Sequence, residues 1–286
     1  MAEPIVVSYS QLDSRRQCPH KAELAYKQRW TTAKDETTAA GRGTLWHKML
    51  DVHYTTLKEG GDDPEGAVAS KLTEFRRAGK DPDTLDLLEW MYDGYVEAFG
   101  HDEEWQVIAV EHRAQVPLLL PSGRKSRFEL KMIIDLIVRD RETGLVWLID
   151  HKSHATIPKS KELDLDDQFG LYTWGLRQLG HKPFGSIYNT ARTQRNKVKP
   201  QPLDERFDRY LMTRTDTEMD SIAQDALATA RGMYHRDDRA ERHTNSDTCR
   251  WRCDYTDACL IGRKYGPERE RQFLLDVGFR QDFTRH

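Results

Sequence analysis

Residues 131–152 read KMIIDLIVRDRETGLVWLIDHK, Lys131 to Lys152. Two apolar, β-branched runs flank Arg141-Glu-Thr-Gly144, a turn signal, so the segment predicts an antiparallel hairpin. With residues 141–144 as the turn, Asp140 faces Leu145, and counting back sets Asp135 opposite Asp150. Side chains alternate along a strand, which puts Asp150 and Lys152 on one face. Directly opposed residues have Cβ atoms roughly 5 Å apart. Two carboxylates that close, among Ile and Leu, repel unless they share a proton or a cation. A divalent metal between them answers this, with Lys152 one pleat away. Hydrated acids at strand ends are the other reading of the same spacing.

Working outward, Ser8 or Ser10 is placed to cap a short helix that Pro19 interrupts and restarts through Tyr26. Gly41-Arg-Gly-Thr44 opens a second helix with Thr44 as its cap, carrying Trp46, Met49, Leu50, His53, Tyr54 and Leu57 at helical spacing. Helices are expected near Pro64–Arg77 and Thr84–Phe99, then strands at Trp105–Leu120, Arg127–Arg139 and Leu145–Lys152. A helix over Ser160–Leu179, strands at Phe184–Ala191 and Phe207–Thr213, a helix over Thr217–Tyr234 and a polar tail complete the reading. No repeat or Pro/Gly/Ser-rich linker divides the chain. The pattern is that of one α/β domain with a helical insertion before the sheet.

The 286 residues are 32% charged, with mean hydropathy −0.80, yet 7 Trp, 11 Tyr and 9 Phe argue for a folded core. The longest apolar runs, Val116–Leu120 and Met132–Val138, are too short to span a bilayer, and the first residues lack the features of a secretion signal. A cytoplasmic, soluble protein is expected. Net charge is −3, unevenly spread. Asp81–Glu104 holds nine carboxylates and no Lys or Arg, whereas His181–Pro200 holds Lys182, Arg192, Arg195, Lys197 and Lys199 and no acid. A phosphate-binding face beside a repelling one fits this pattern, as do two ordinary solvated surfaces.

Cys18 stands near the start, and Cys249, Cys253 and Cys259 cluster as C-x3-C-x5-C. An intracellular chain of this size rarely needs disulfides, so ligation is the leading use. Four thiolates can hold Zn²⁺ or an iron–sulfur cluster, although one distant cysteine with a group of three is unusual for zinc.

Asp135, then Leu-Ile-Asp150-His-Lys152, then Gln168-x3-Tyr172 resembles the PD-(D/E)XK nuclease superfamily. Its RecB/AddB-like branch, which includes CRISPR-associated and phage exonucleases, is the most similar. Gly43-Thr-Leu-Trp-His47 resembles that branch's G-x-x-x-H, Ser8-Tyr-Ser-Gln-Leu12 with Cys18-Pro resembles its opening, and the four cysteines resemble its iron–sulfur members. Ile134 stands where the superfamily's name has Pro, and the cysteine spacing of x3 then x5 is wider than the expected x2 then x5.

The resemblance implies a restriction-endonuclease-like core, a central mixed sheet flanked by helices, with an Fe–S-binding C-terminal region. It implies a single nuclease domain over 1–286, with an insertion at 44–100, a catalytic core at 105–215 and a cluster-binding region at 216–262 joined to Cys18. The activity implied is a metal-dependent DNA exonuclease in recombination, repair or replication, bacterial or phage-encoded. Its substrate would be DNA with free ends, with recombination or helicase proteins as candidate partners and a homo-oligomer allowed. A non-catalytic Fe–S DNA-binding scaffold and a structure-specific endonuclease are the competing readings. By resemblance, Asp135, Asp150, His47 and the backbone carbonyl of His151 hold Mg²⁺ or Mn²⁺, with Glu111 as an additional carboxylate. Lys152 orients the attacking water or stabilises developing charge, and Gln168 and Tyr172 contact the DNA strand. Arg192, Arg195 and Lys197 are candidate phosphate contacts. Cys18, Cys249, Cys253 and Cys259 would bind a 4Fe–4S cluster, tying distant parts of the chain together where loop-closure entropy makes a cross-link most effective.

Overall fold

The computed structural model describes residues 3–33, 35–159, 163–196, 198–234 and 240–283. The chain forms two compact units, one of Asp35–Val116 and Lys131–Ala223, the other of Met1–Lys34, Pro117–Leu130 and Gln224–His286. Among the described residues no helix is long and apolar enough to cross a membrane.

The larger unit holds the greater part of the sheet. Strands β3 (Trp105–Leu119), β4 (Lys125–Asp140), β5 (Val146–His154), β6 (Gly185–Arg192) and β7 (Phe207–Met212) lie side by side, and β1 (Ile5–Ser8) also pairs with β4. β4 and β5 are antiparallel with Leu136 opposite Ile149, so the register that turn counting predicts holds to the residue before Asp135 and Asp150. β5 and β6 run parallel, which requires a crossover, and α6 (Asp167–Gln178) supplies it. β7 closes antiparallel on β6. The result is an α/β fold with a mixed sheet between helical layers.

Alternation along β5 explains the layers. Trp147 and Ile149, with Leu136 and Val138, bury against α3 (Ala39–Lys58), α4 (Pro64–Arg77) and α5 (Pro82–Phe99) through Trp46, Met49, Leu50, Tyr54, Leu72, Leu88 and Tyr95. Leu148, with Ile134 and Ile137, buries on the other face against Leu176 of α6. That crossover helix approaches closely because Gly175 has no side chain; a Cβ there would lie 2.5 Å from Met132 Sδ.

The smaller unit gathers α1 (Tyr9–Gln17), α2 (Pro19–Ala22), a π-helical turn at Glu23–Lys27 and β2 (Trp30–Thr31) with α8 (Ser246–Arg252), α9 (Thr256–Tyr265), α10 (Pro267–Asp276) and β8 (Arg280–Gln281). β2 and β8 pair antiparallel, Trp30 opposite Gln281. Leu24, Trp30, Tyr255, Ala258, Leu274 and Phe279 form its core, and Tyr255 Oη donates to the Trp30 carbonyl at 2.6 Å. The helix α7 spans Asp216–Met233.

Element boundaries depart from the sequence reading where caps decide them. α3 begins after Thr38, whose hydroxyl accepts from Gly41 N–H; Thr44 lies inside the helix and donates to the Ala40 carbonyl instead. Asp81 caps α5 three residues ahead of Thr84. Asp166 caps α6, and the expected start at residues 160–162 lies outside the described residues. The polar tail is helical. α10 exposes most of Pro-Glu-Arg-Glu-Arg-Gln-Phe-Leu-Leu-Asp and buries Glu270 and Leu274, too narrow a stripe to read as a helix. Ser8 caps α1 as read, through a capping box with Gln11.

Candidate active site

The place in the larger unit where the β4–β5 pairing stops, just past Leu136 and Ile149, brings the expected residues together. Asp135 is buried, and its Oδ2 accepts the backbone N–H of His151 at 2.8 Å. The same oxygen lies 3.4 Å from His47 Nδ1, which α3 delivers from the facing layer. On β5, Lys152 Nζ lies 2.6 Å from Asp150 Oδ2, and Gln168, in the first turn of α6, donates to Asp150 Oδ1 at 3.3 Å. Helices from both layers thus reach the place that carries the acids.

The electrostatics are those of charges forced close in a poorly hydrated place. Burial alone would raise Asp135, but His47 and the His151 N–H reverse that and hold it below the usual carboxylate range. Burial raises Asp150, the Asp135 charge adds to it, and the Lys152 ammonium opposes both. Burial works against a charged Lys152, and the Asp150 carboxylate outweighs it. Burial likewise lowers His47 while Asp135 more than compensates, leaving it above its ordinary value.

Glu111 belongs to the same cluster. One ligand atom each from His47, Glu111 and Asp135 lie within 4.8 Å of one another. The Glu111 backbone has φ 48°, a left-handed conformation costing about 1–3 kcal/mol for a side-chain-bearing residue. Asp51, one turn beyond His47 on α3, escaped the sequence reading. Burial first, then the Glu111 charge, pushes its carboxyl up to about 7. The i,i+4 spacing from His47 was the available signal.

The donor set fits a hard divalent cation. The carboxylates of Glu111 and Asp135 and the His47 imidazole converge there, while Asp150 Oδ2 beside them is held by the Lys152 ammonium.

The remaining candidates fare variously. Tyr172 is half-buried against the Ile134, Ile137, Leu148 and Leu176 group, and burial pushes its hydroxyl up to about 12. Arg192 is half-buried. Arg195 turns to the acidic helix: Nη1 donates to Asp86 Oδ2 at 2.9 Å and the guanidinium lies 4.9 Å from the Trp90 ring centroid. The acid-rich and base-rich stretches are therefore partly paired within this unit rather than fully segregated. Lys197 lies outside the described residues.

In the smaller unit, Cys18, Cys249, Cys253 and Cys259 are free thiols lining one cavity of about 710 Å³. Beside them His20 and Glu270 are buried, with Nε2 and Oε1 2.7 Å apart, and Arg242 donates to Glu270 Oε2 at 3.3 Å. Ligand atoms of His20, Cys259 and Glu270 lie within 4.8 Å of one another. Burial pushes the Cys259 thiol up, with Arg242 opposing.

A mixed sheet between helical layers, with two acids, an imidazole and a lysine where two of its strands part, defines a nuclease-type core. The chain belongs to the PD-(D/E)XK nuclease superfamily, whose family profile matches residues 6–260. Nucleases of this superfamily use divalent metals such as Mg²⁺ or Mn²⁺. No curated protein matches the chain. Among solved structures it is similar to SSO0001, at 14% identity and TM-score 0.40, covering 94% of this chain and 89% of that one. It is also similar to a candidate exonuclease from Eubacterium rectale, at 13% identity and TM-score 0.46, covering 86% and 92%.

Proposed function

We propose that this nuclease is a metal-dependent DNA exonuclease acting on free ends in recombination, repair or replication. The observation that carries the reading is the convergence of Asp135, Asp150, His47 and Lys152 where the β4–β5 pairing stops. Phosphodiester hydrolysis needs a positioned water, neutralised phosphoryl oxygens and a stabilised leaving oxygen.

His47, Asp135, Asp150 and the His151 carbonyl would hold Mg²⁺ or Mn²⁺, with Glu111 adding a carboxylate. Such an ion, when bound, acidifies water and neutralises phosphoryl charge. Lys152 supplies a compact positive charge beside the scissile phosphate and stays protonated because Asp150 faces it. Gln168, fixed on Asp150, and Tyr172, one turn on, present polar groups to the DNA strand. Arg192, Arg195 and Lys197 are the proposed phosphate contacts beyond them.

Cys18, Cys249, Cys253 and Cys259 would carry a 4Fe–4S cluster, with Zn²⁺ as the alternative occupant. A shared cavity of about 710 Å³, roomy for a single ion, supports the cluster. Its role would be structural, bridging segments from the two ends of the sequence.

End-labelled linear DNA and closed circular DNA, incubated with protein and Mn²⁺, test the proposal. Mononucleotide or short-oligomer release from linear DNA alone, abolished by chelator, is expected. Cleavage of the circle would make the protein an endonuclease, and binding without cleavage would make it a scaffold. Iron and zinc counts with a visible spectrum on the same sample decide the cluster.

A further inference from the structure

A row of buried polar side chains underlies the acids, unused by the chemistry proposed so far. His151, Asn189 and Arg209 are cross-strand partners on β5, β6 and β7. His151 and Asn189 are 1% and 2% exposed, in a layer otherwise filled by Trp46, Met49, Leu50 and Leu88.

The hydrogen bonds fix one another in sequence. Arg209 has donors only. Its Nη2 donates to Asp102 Oδ2 at 2.9 Å and to Tyr95 Oη at 3.0 Å, Nη1 pairs with Asp102 Oδ1, and Nε donates to Asn189 Oδ1 at 3.4 Å. Asn189 must therefore turn its amide nitrogen the other way, where Nδ2 donates to Tyr95 Oη at 2.9 Å and to His151 Nδ1 at 2.7 Å. His151 Nδ1 is thus an acceptor, and its ring proton sits on Nε2. The ring stacks on Tyr54, centroids 5.6 Å apart and planes at 10°, and Tyr54 Oη donates to Asp102 Oδ2 at 2.6 Å. The circuit Asp102–Arg209–Asn189–His151–Tyr54 closes on itself.

An apolar set would fill this space without desolvating an ion pair, so stability alone does not account for the row. Its output is geometric. The imidazole so clamped belongs to the residue whose N–H holds Asp135 Oδ2, between Asp150 and Lys152 in sequence. We propose that the His151–Asn189–Arg209 row is a positioning device that sets the Asp135 rotamer and the pitch of β5, and so governs ion affinity and turnover. This rests on the nuclease reading above.

Asn189→Leu in the full chain tests it, with circular dichroism and melting temperature reporting folding. Turnover should fall at least about tenfold with KM for linear DNA within twofold. Mn²⁺ binding, measured by electron paramagnetic resonance in a Lys152→Ala background, should weaken at least about fivefold. If Asn189→Leu fails to fold, Tyr95→Phe, which deletes an acceptor for both Asn189 and Arg209, should weaken Mn²⁺ about threefold. A folded Asn189→Leu, or Tyr95→Phe where only that variant folds, with turnover and Mn²⁺ affinity both within twofold of the parent overturns the proposal, whatever its melting temperature. A parent protein that neither cuts DNA nor binds Mn²⁺ overturns the nuclease reading instead.

Discussion

The acids and the cysteines are assembled in opposite ways. Asp135 and Asp150 meet across one hairpin, so the local register carries them together. Cys18 and Cys249 come from segments far apart in sequence and meet at a cavity whose walls are short helices and loops. The first arrangement rests on backbone hydrogen bonds that form without any ligand. The second relies on a small apolar core around Trp30 and Leu274 and, as proposed, on what the thiolates hold. Chemistry and cross-linking should therefore fail independently.

The largest expected effect breaks the acid site alone. Lys152→Ala should lower DNA cleavage by on the order of a thousandfold, measured on end-labelled linear DNA, while iron content stays at the parent level. Cys18→Ser should do the reverse. Iron is lost and limited proteolysis opens the segments around residues 18 and 249, in line with the 2–5 kcal/mol typical of a lost cross-link. Equal loss of iron in both variants would show that the two sites do not fail independently.

A third measurement separates the units by pH. Burial pushes the His53 imidazole down to about 4, and it is held neutral with Nδ1 2.8 Å from Tyr92 Oη. The unfolded chain binds that proton near pH 6.5, so stability is complete above 6.5 and declines as pH falls toward 4. The loss is about 3 kcal/mol by denaturant titration. His53→Phe should remove that share of the slope and leave the share of the buried His151 imidazole, which burial also pushes down, to about 3. The smallest effect belongs to the cysteine-bearing unit: Tyr255→Phe removes the bond to the Trp30 carbonyl and should lower stability by about 1 kcal/mol, again by denaturant titration.

The acid pair was legible because one turn and a period of two decide it. The strands and the helix between β5 and β6 followed from apolar runs and their lengths, and the mixed sheet from the family resemblance. Two helix starts were misread, where Thr38 and Asp81 precede the expected Thr44 and Thr84, since several residues in each stretch are good caps. The His151–Asn189–Arg209 row stayed hidden because partners across a parallel crossover are set by the tertiary fold. Glu111's left-handed backbone has no sequence signature, because Glu seldom adopts it.

Alternation along β5 has one more consequence. Asp150 and Lys152 leave the strand on one side while His151 leaves it on the other, under Tyr54. A slip of a single residue would drive the ammonium into the aromatic layer and turn the imidazole toward the substrate side. Misaligned molecules would be inert rather than promiscuous, so the strand acts as its own quality check: only correctly folded copies can cut.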